Sequence, residues 1–369
     1  MFQRARPESP TVGQITRRRV IGASAATGLV LATSGATGQR EQLSDRRVAT
    51  NLFTTGPPPG MGATIGSFDD TGSNAADLHE DLRRISELGG TWARMNLSAG
   101  HLVSDWDAPD GPVTLRPAAV EQNHALLDDA AQRGLAICMM YINHYPRTEA
   151  SHATWVERTT AWWRVASAEF APKIAMAQIF NEAAGHHYRF YRDVPAVREE
   201  AYRREMADLI LLARSVIHEF NPQVQVTTNL YGWPVGPDIE EQWHREQADL
   251  APVQDLLTVD AYVDWGDEGA ETLNGLIPRV ARLEEAFGKR VAIGEIGVPD
   301  LGLAPSVHAD RLERIVTIVK AALPTAYATF IYQLRDSTVG PEFEQTFGLV
   351  EADGTPKEAF RRLERIGLA

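Results

Sequence analysis

The chain has 369 residues, 44% of them hydrophobic and 23% charged, which gives it enough apolar side chain to bury a substantial core and excludes a disordered protein. A formal charge of −13 argues against nucleic acid or an anionic membrane surface as partner, because a net negative field repels polyanions. Cys138 is the single cysteine, so intrachain disulfides are impossible and a cysteine-based zinc site is disfavoured; within its apolar run it reads as a small buried hydrophobe.

The amino terminus reads as a targeting segment. Arg17, Arg18 and Arg19 precede a stretch without charges up to Gln39, rich in Ala, Gly, Ser and Thr. A cationic head before such a stretch has the pattern of an export signal, and the adjacent arginines mark the twin-arginine type, expected over residues 1–37 with Ser34-Gly35-Ala36 offering small residues for cleavage. An uncleaved membrane anchor is the competing reading, weakened because Gly, Ser and Thr dilute the run. The expectation is an exported protein, extracellular or periplasmic, with no stable membrane association once the signal is removed. Residues 38–62 are polar and then Pro57-Pro58-Pro59-Gly60, read as a linker stiffened by its prolines. Residues 63–369 are expected to form one catalytic domain.

Within that domain Ala63–Phe68 is a plausible first strand, followed by a turn at Asp69 and Asp70 and a helix over Asp77–Leu88 that Gly89-Gly90 stops. The unit then recurs. Strands are expected at Thr91–Asn96, Ala136–Ile142, Lys173–Phe180, Gln223–Leu230, Leu256–Val263, Arg290–Ile296 and Tyr327–Leu334. Helices fill the gaps near 118–133, 154–170, 196–220, 239–249, 271–287, 306–322 and 357–366. Eight short apolar strands, each followed by a helix, make the pattern of a closed parallel (β/α)8 TIM barrel, fold class α/β. An open doubly wound sheet is the rival, and no Gly-x-Gly-x-x-Gly turn follows the first strand to support a dinucleotide site.

A barrel gathers at one face the polar residues just past the carboxyl ends of its strands. Those residues include Arg94 and Asn96 at the second strand, Asn143 and His144 after the third, and Asn181 and Glu182 after the fourth. Further on come Tyr231 and Trp233, then Asp260, Tyr262 and Trp265, then Glu295 between Gly294 and Gly297, then Gln333, Arg335 and Asp336. Two carboxylates on opposite walls suit glycoside hydrolysis, one to protonate the leaving oxygen and one to attack the anomeric carbon. Trp233 and Trp265 can stack on sugar rings, and Arg335 and Asp336 can address a charged sugar. His186 and His187 lack a third partner at ligand spacing, so no metal is expected.

Ala93-Arg94-Met-Asn96, Phe180-Asn181-Glu182, Asp260-Ala-Tyr262 and Gly294-Glu295-Ile-Gly297 together resemble the retaining (β/α)8 glycoside hydrolases that carry their acid/base after strand four and their nucleophile on strand seven, in the manner of families 5 and 39. The stretch Phe347–Phe360 also resembles that group's ending. The resemblance implies Glu182 as general acid/base, Glu295 as nucleophile, Asn181 on the sugar 2-hydroxyl, Arg94 beside Glu295, Tyr262 hydrogen-bonded to the nucleophile and His144 lining the pocket. It implies a carbohydrate substrate with β-linkages and no cofactor. The usual Trp-Asn-Glu-Pro is here Phe180-Asn181-Glu182-Ala183, and the aromatic expected on strand eight is at best Tyr332. The alternative is a carbohydrate-binding barrel without turnover. Each polar residue also has a plainer reading: Arg94 as a structural ion-pair partner, Tyr262 as packing, His144 as a loop histidine. Oligomeric state is left open.

Overall fold

The structure is a computed structural model and describes residues 57–66, 68, 74–108, 111–143, 151–182, 200–265 and 269–369. The export signal, most of the expected linker, Asp69, Asp70, His144, His186 and His187 lie outside the described residues.

Among the described residues the nine strands are β1 (Gly60–Thr64), β2 (Trp92–Ser98), β3 (Ala136–Ile142), β4 (Met176–Ile179), β5 (Gln225–Thr227), β6 (Asn229–Leu230), β7 (Leu257–Asp260), β8 (Val291–Ile296) and β9 (Ala326–Ile331). They pair in parallel in the order β5-β4-β3-β2-β1-β9-β8-β7-β6. The two ends of that order, β5 and β6, flank Thr228 on one stretch of chain. The fifth strand of the sequence pattern is therefore this pair, and the sheet closes through it into an eightfold barrel. The sixth, seventh and eighth expected strands are β7, β8 and β9.

Helices among the described residues are α1 (Ala75–Glu87), α2 (Ala99–Leu102), α3 (Pro117–Gln132), α4 (His152–Phe170), α5 (Glu200–Phe220), α6 (Pro237–Leu250), α7 (Gly269–Phe287), α8 (Pro305–Ala322) and α9 (Glu358–Ile366). Local chemistry sets their ends. Asn74 and Asp77 form a reciprocal capping box, each side chain accepting from the other's backbone N–H, at 3.1 and 3.2 Å. The same helix buries Leu78, Leu82 and Ile85 on one face and terminates at Gly89, whose φ of 74° is open to glycine without strain.

Strand alternation sorts the core into two layers. Ala93 and Met95 face the helices in the large outer core, while Trp92 joins Cys138, Met176, Tyr327 and Phe330 in a smaller cluster inside the barrel. Burial pushes the Cys138 thiol up to about 12, so it is an inert apolar filler. Trp92 meets Tyr327 and Phe330 edge-on, with ring centroids 6.1 and 6.0 Å apart. This aromatic layer is the barrel floor. Its polar edges point at the chain before β1: the Trp92 indole N–H donates to the Pro58 carbonyl at 3.1 Å and the Tyr327 hydroxyl to the Pro57 carbonyl at 2.8 Å.

The first strand starts at Gly60, inside the stretch that its prolines mark as linker. Composition misplaces this boundary because proline lacks a donor and signals loop, yet its carbonyl still accepts.

Candidate active site

Just past the end of β4 the backbone departs from regular geometry. Phe180 and Glu182 adopt φ of 61° and 48°, a left-handed conformation that non-glycine residues hold only when their surroundings enforce it. The enforcement is visible at Glu182, whose backbone N–H donates to Asn229 Oδ1 on β6 at 2.7 Å. Between the two, Asn181 Oδ1 accepts from Arg94 Nη2, Gln178 Nε2 and Asn229 Nδ2 at 3.0, 3.1 and 3.0 Å. Three donors on one oxygen fix the orientation of the amide.

Glu295 occupies the facing wall, near the end of β8. Its Oε1 lies 2.9 Å from Arg94 Nη1 and its Oε2 accepts from the Tyr262 hydroxyl at 2.6 Å. Arg94 is fully buried and also donates through Nε to Gln178 Oε1 at 3.0 Å. Burial works against its charge, but Glu295 and Asp260 outweigh that and keep it a cation. Burial likewise pushes the Glu295 carboxyl above its ordinary range; Arg94 pulls it back, the Glu182 charge raises it further, and the Tyr262 hydrogen bond lowers it. The ion pair and the phenol thus favour the carboxylate, against burial and the Glu182 charge, which favour the neutral acid.

The glycines around Glu295 are demanded by close contacts. A Cβ on Gly294 would stand 2.7 Å from Asp260 Oδ1, and one on Gly297 would stand 2.0 Å from the Tyr332 carbonyl oxygen. Gly297→Ala is therefore expected to force β8 and β9 apart at the site and cost about 1–3 kcal/mol. Denaturant unfolding measures it, and an unchanged midpoint would contradict the packing described.

Glu182, Glu295, Asn181 and Tyr262 line one cavity of about 940 Å³ above the barrel. Trp233 and Trp265 also line it; Trp233 is 52% exposed at the rim, whereas Trp265 is half-buried with the Arg311 guanidinium 5.2 Å from its ring centroid. Tyr332 supplies the aromatic at the end of β9 and packs against Tyr262 and Phe347, at centroid distances of 6.4 and 5.4 Å. Arg94 reaches the site from beneath, through the hydrogen bonds given above. His144 lies outside the described residues.

Arg335 and Asp336 do not address the cavity, contrary to their reading as sugar-binding groups. Arg335 is buried and turned to α1, donating through Nη2 to Asp81 Oδ1 at 2.7 Å, and Asp336 pairs with Lys357 at 2.6 Å. The chain past β9 no longer follows strand alternation, so position after a strand end stops predicting direction.

Two residues of the network escape sequence reasoning. Gln178 and Asn229 are fully buried polar side chains inside strands, and Gln178 Nε2 donates to Asn229 Oδ1 at 2.8 Å. The available signal was a lone amide interrupting an apolar run, since a buried polar group needs partners. Among the described residues no group of three or more His, Cys, Asp or Glu side chains is arranged to hold a metal ion.

No protein-family model and no curated protein matches the chain. Solved structures do match. A variant form of a GH5_18 protein from Streptomyces cattleya, in complex with Manβ1-4GlcNAc, is 18% identical with a TM-score of 0.62, covering 84% of this chain and 80% of that one. An exo-β-1,4-mannosidase from Opitutaceae bacterium strain TAV5 is 16% identical with a TM-score of 0.61, over 84% of this chain and 59% of that one. A family 39 glycoside hydrolase from the gut symbiont Bacteroides cellulosilyticus WH2 is 16% identical with a TM-score of 0.61, over 84% and 64%. At such identities the likeness is one of fold: the chain is an α/β TIM barrel of the form found in family 5 and family 39 glycoside hydrolases.

Proposed function

We propose that the protein is a retaining glycoside hydrolase acting on β-linked oligo- or polysaccharide, exported by the twin-arginine route. The observation that carries this is the opposed pair Glu182 and Glu295 on one cavity, with Arg94 and Tyr262 both bound to Glu295. One carboxylate is held by a cation and a phenol, as a nucleophile needs. The other, Glu182, is half-buried just past β4 on the lining of the same cavity, where a proton donor can meet a leaving oxygen.

In the first step the Glu295 carboxylate bonds to the anomeric carbon as the bond from that carbon to the leaving oxygen breaks, and Glu182 delivers its proton to that oxygen. The product is a glycosyl ester on Glu295. In the second, Glu182 takes a proton from water, the water oxygen attacks the same carbon, and Glu295 departs as carboxylate. Arg94 and Tyr262 stabilise its charge before attack and after release. Asn181, which lines the cavity, donates through Nδ2 to a sugar hydroxyl in this scheme. The bound Manβ1-4GlcNAc and the β-1,4-mannosidase activity named for two structural neighbours support a β-linked substrate.

The test is a screen of β-linked glycans followed by NMR of the first-formed product anomer. Retention is expected; first appearance of the inverted anomer would sink double displacement, and absence of hydrolysis across the panel would sink the enzyme. Tyr262→Phe supplies an independent check. Losing the 2.6 Å hydrogen bond removes a group that favours ionised Glu295, so its pKa rises and the acid limb of kcat/KM moves to higher pH. An unmoved or lowered limb would contradict the assignment of Glu295 as the ionised partner.

A further inference from the structure

Asp260 is a fully buried carboxyl beside the site to which the two-step scheme gives no task. It is the last residue of β7, and its Oδ2 accepts from Asn229 Nδ2 at 2.5 Å, while Oδ1 is buried with no hydrogen-bond partner. The barrel makes room for it: Gly294 on the adjacent strand is the residue whose Cβ would collide with Oδ1. A buried acid for which a neighbouring strand gives up a side chain invites a functional explanation.

Asn229 gives the direction of that explanation. An amide has one donating and one accepting end, and which way it points is decided by its neighbours. On one side Asp260 Oδ2 requires a donor. The Asn229 oxygen is thereby turned to the opposite side, where it accepts from Gln178 Nε2 at 2.8 Å and from the Glu182 backbone N–H at 2.7 Å. The same Nδ2 also donates to Asn181 Oδ1 at 3.0 Å. Were the amide reversed, its NH2 would face the Glu182 N–H, donor against donor, and the contact that holds Glu182 at φ 48° would be lost.

We propose that Asp260 and Asn229 are a positioning pair: the Asp260 carboxyl sets the sense of the Asn229 amide, which holds Glu182 in its left-handed conformation and so aims the acid/base side chain at the leaving oxygen. The inference rests on the reading of Glu182 as that acid/base.

The groups facing Asp260 are Glu295 from β8, Glu182 beyond β4, Arg94 from β2 and the Tyr262 phenol. Burial first, and then the charges of Glu295 and Glu182, push the Asp260 carboxyl well above its ordinary range, against Arg94 and the Asn229 hydrogen bond. The neutral form that burial favours keeps Oδ2 as an acceptor that orients Asn229. Asparagine at this position imitates that neutral acid, with an NH2 in place of the O–H, whereas alanine removes the acceptor.

The experiment uses two β-glycosides of one sugar, one with a phenol of low pKa as leaving group and one with a second sugar. Only the second needs proton donation for its departure. Asp260→Ala is expected to lower kcat/KM on the sugar leaving group by about 100-fold, the order of a 1 Å misplacement, and on the acidic phenol by only a few-fold. Asp260→Asn is expected to keep most of the activity on both. Asn229→Ala should reproduce the leaving-group pattern of Asp260→Ala, and serves as the second variant where Asp260→Ala folds poorly. Equal losses on both substrates, or a loss in Asp260→Asn as large as in Asp260→Ala, would overturn the proposal. So would a crystal structure of Asp260→Ala in which Glu182 keeps its φ and its N–H remains on Asn229, a result independent of turnover. Wild-type protein that cleaves neither glycoside refutes the hydrolase reading itself, which these other outcomes leave standing.

Discussion

Glu295→Gln is expected to reduce turnover on any substrate of the protein by about 10⁴-fold or more, since residues that form the covalent intermediate leave only binding and charge stabilisation when removed. The substitution is nearly isosteric. The amide oxygen still accepts from either Arg94 or Tyr262, whose contacts with Glu295 are 2.9 and 2.6 Å, but the buried Arg94 cation loses its counter-charge, so stability falls along with the loss of the nucleophile and turnover is compared on protein shown to be folded. Single-turnover assays against the wild type measure the effect. Activity within about tenfold of wild type would remove Glu295 from the chemistry and favour a different barrel hydrolase. Glu182→Gln, by contrast, should lose about 10²–10⁴-fold, because general acid catalysis is worth that much, with the smaller loss on leaving groups that depart unaided.

Arg94→Met is expected to lower the free energy of unfolding by about 3–5 kcal/mol at neutral pH, the cost of stripping one partner from a buried ion pair. Methionine nearly fills the space but donates nothing. Glu295 loses its cation, and Gln178 Oε1 and Thr64 Oγ1, which lie 3.0 and 3.3 Å from Arg94, lose a donor. The sign of the pH dependence follows. With the cation gone, the folded-state pKa of Glu295 rises further above its unfolded value. A raised carboxyl favours the fold where it is protonated and disfavours it as pH climbs. The stability deficit of Arg94→Met should therefore shrink in mild acid. Denaturant unfolding at neutral and mildly acid pH checks both claims, and a deficit that grows in acid would contradict the pairing.

The barrel was legible in the sequence because its strands are short apolar runs separated by capped helices, and the two carboxylates because each ends such a run. What stayed hidden had a physical reason. Asn229 and Gln178 are buried in strands, where a lone polar letter could equally be an edge or a turn. Arg335 was misread because strand parity is lost beyond β9, and its guanidinium turns to Asp81. The stretches after β3 and β4 that carry His144, His186 and His187 lie outside the described residues.

The proline carbonyls under the barrel bear on how the protein can be shortened. A recombinant chain beginning at Ala63, where composition alone would cut, discards three of the five residues of β1 together with the acceptors of the Trp92 and Tyr327 donors. Each orphaned donor costs about 1–3 kcal/mol. Truncations meant for crystallisation or assay should therefore retain Pro57, and the soluble yield of a trimmed protein should improve sharply when the cut is moved upstream of it.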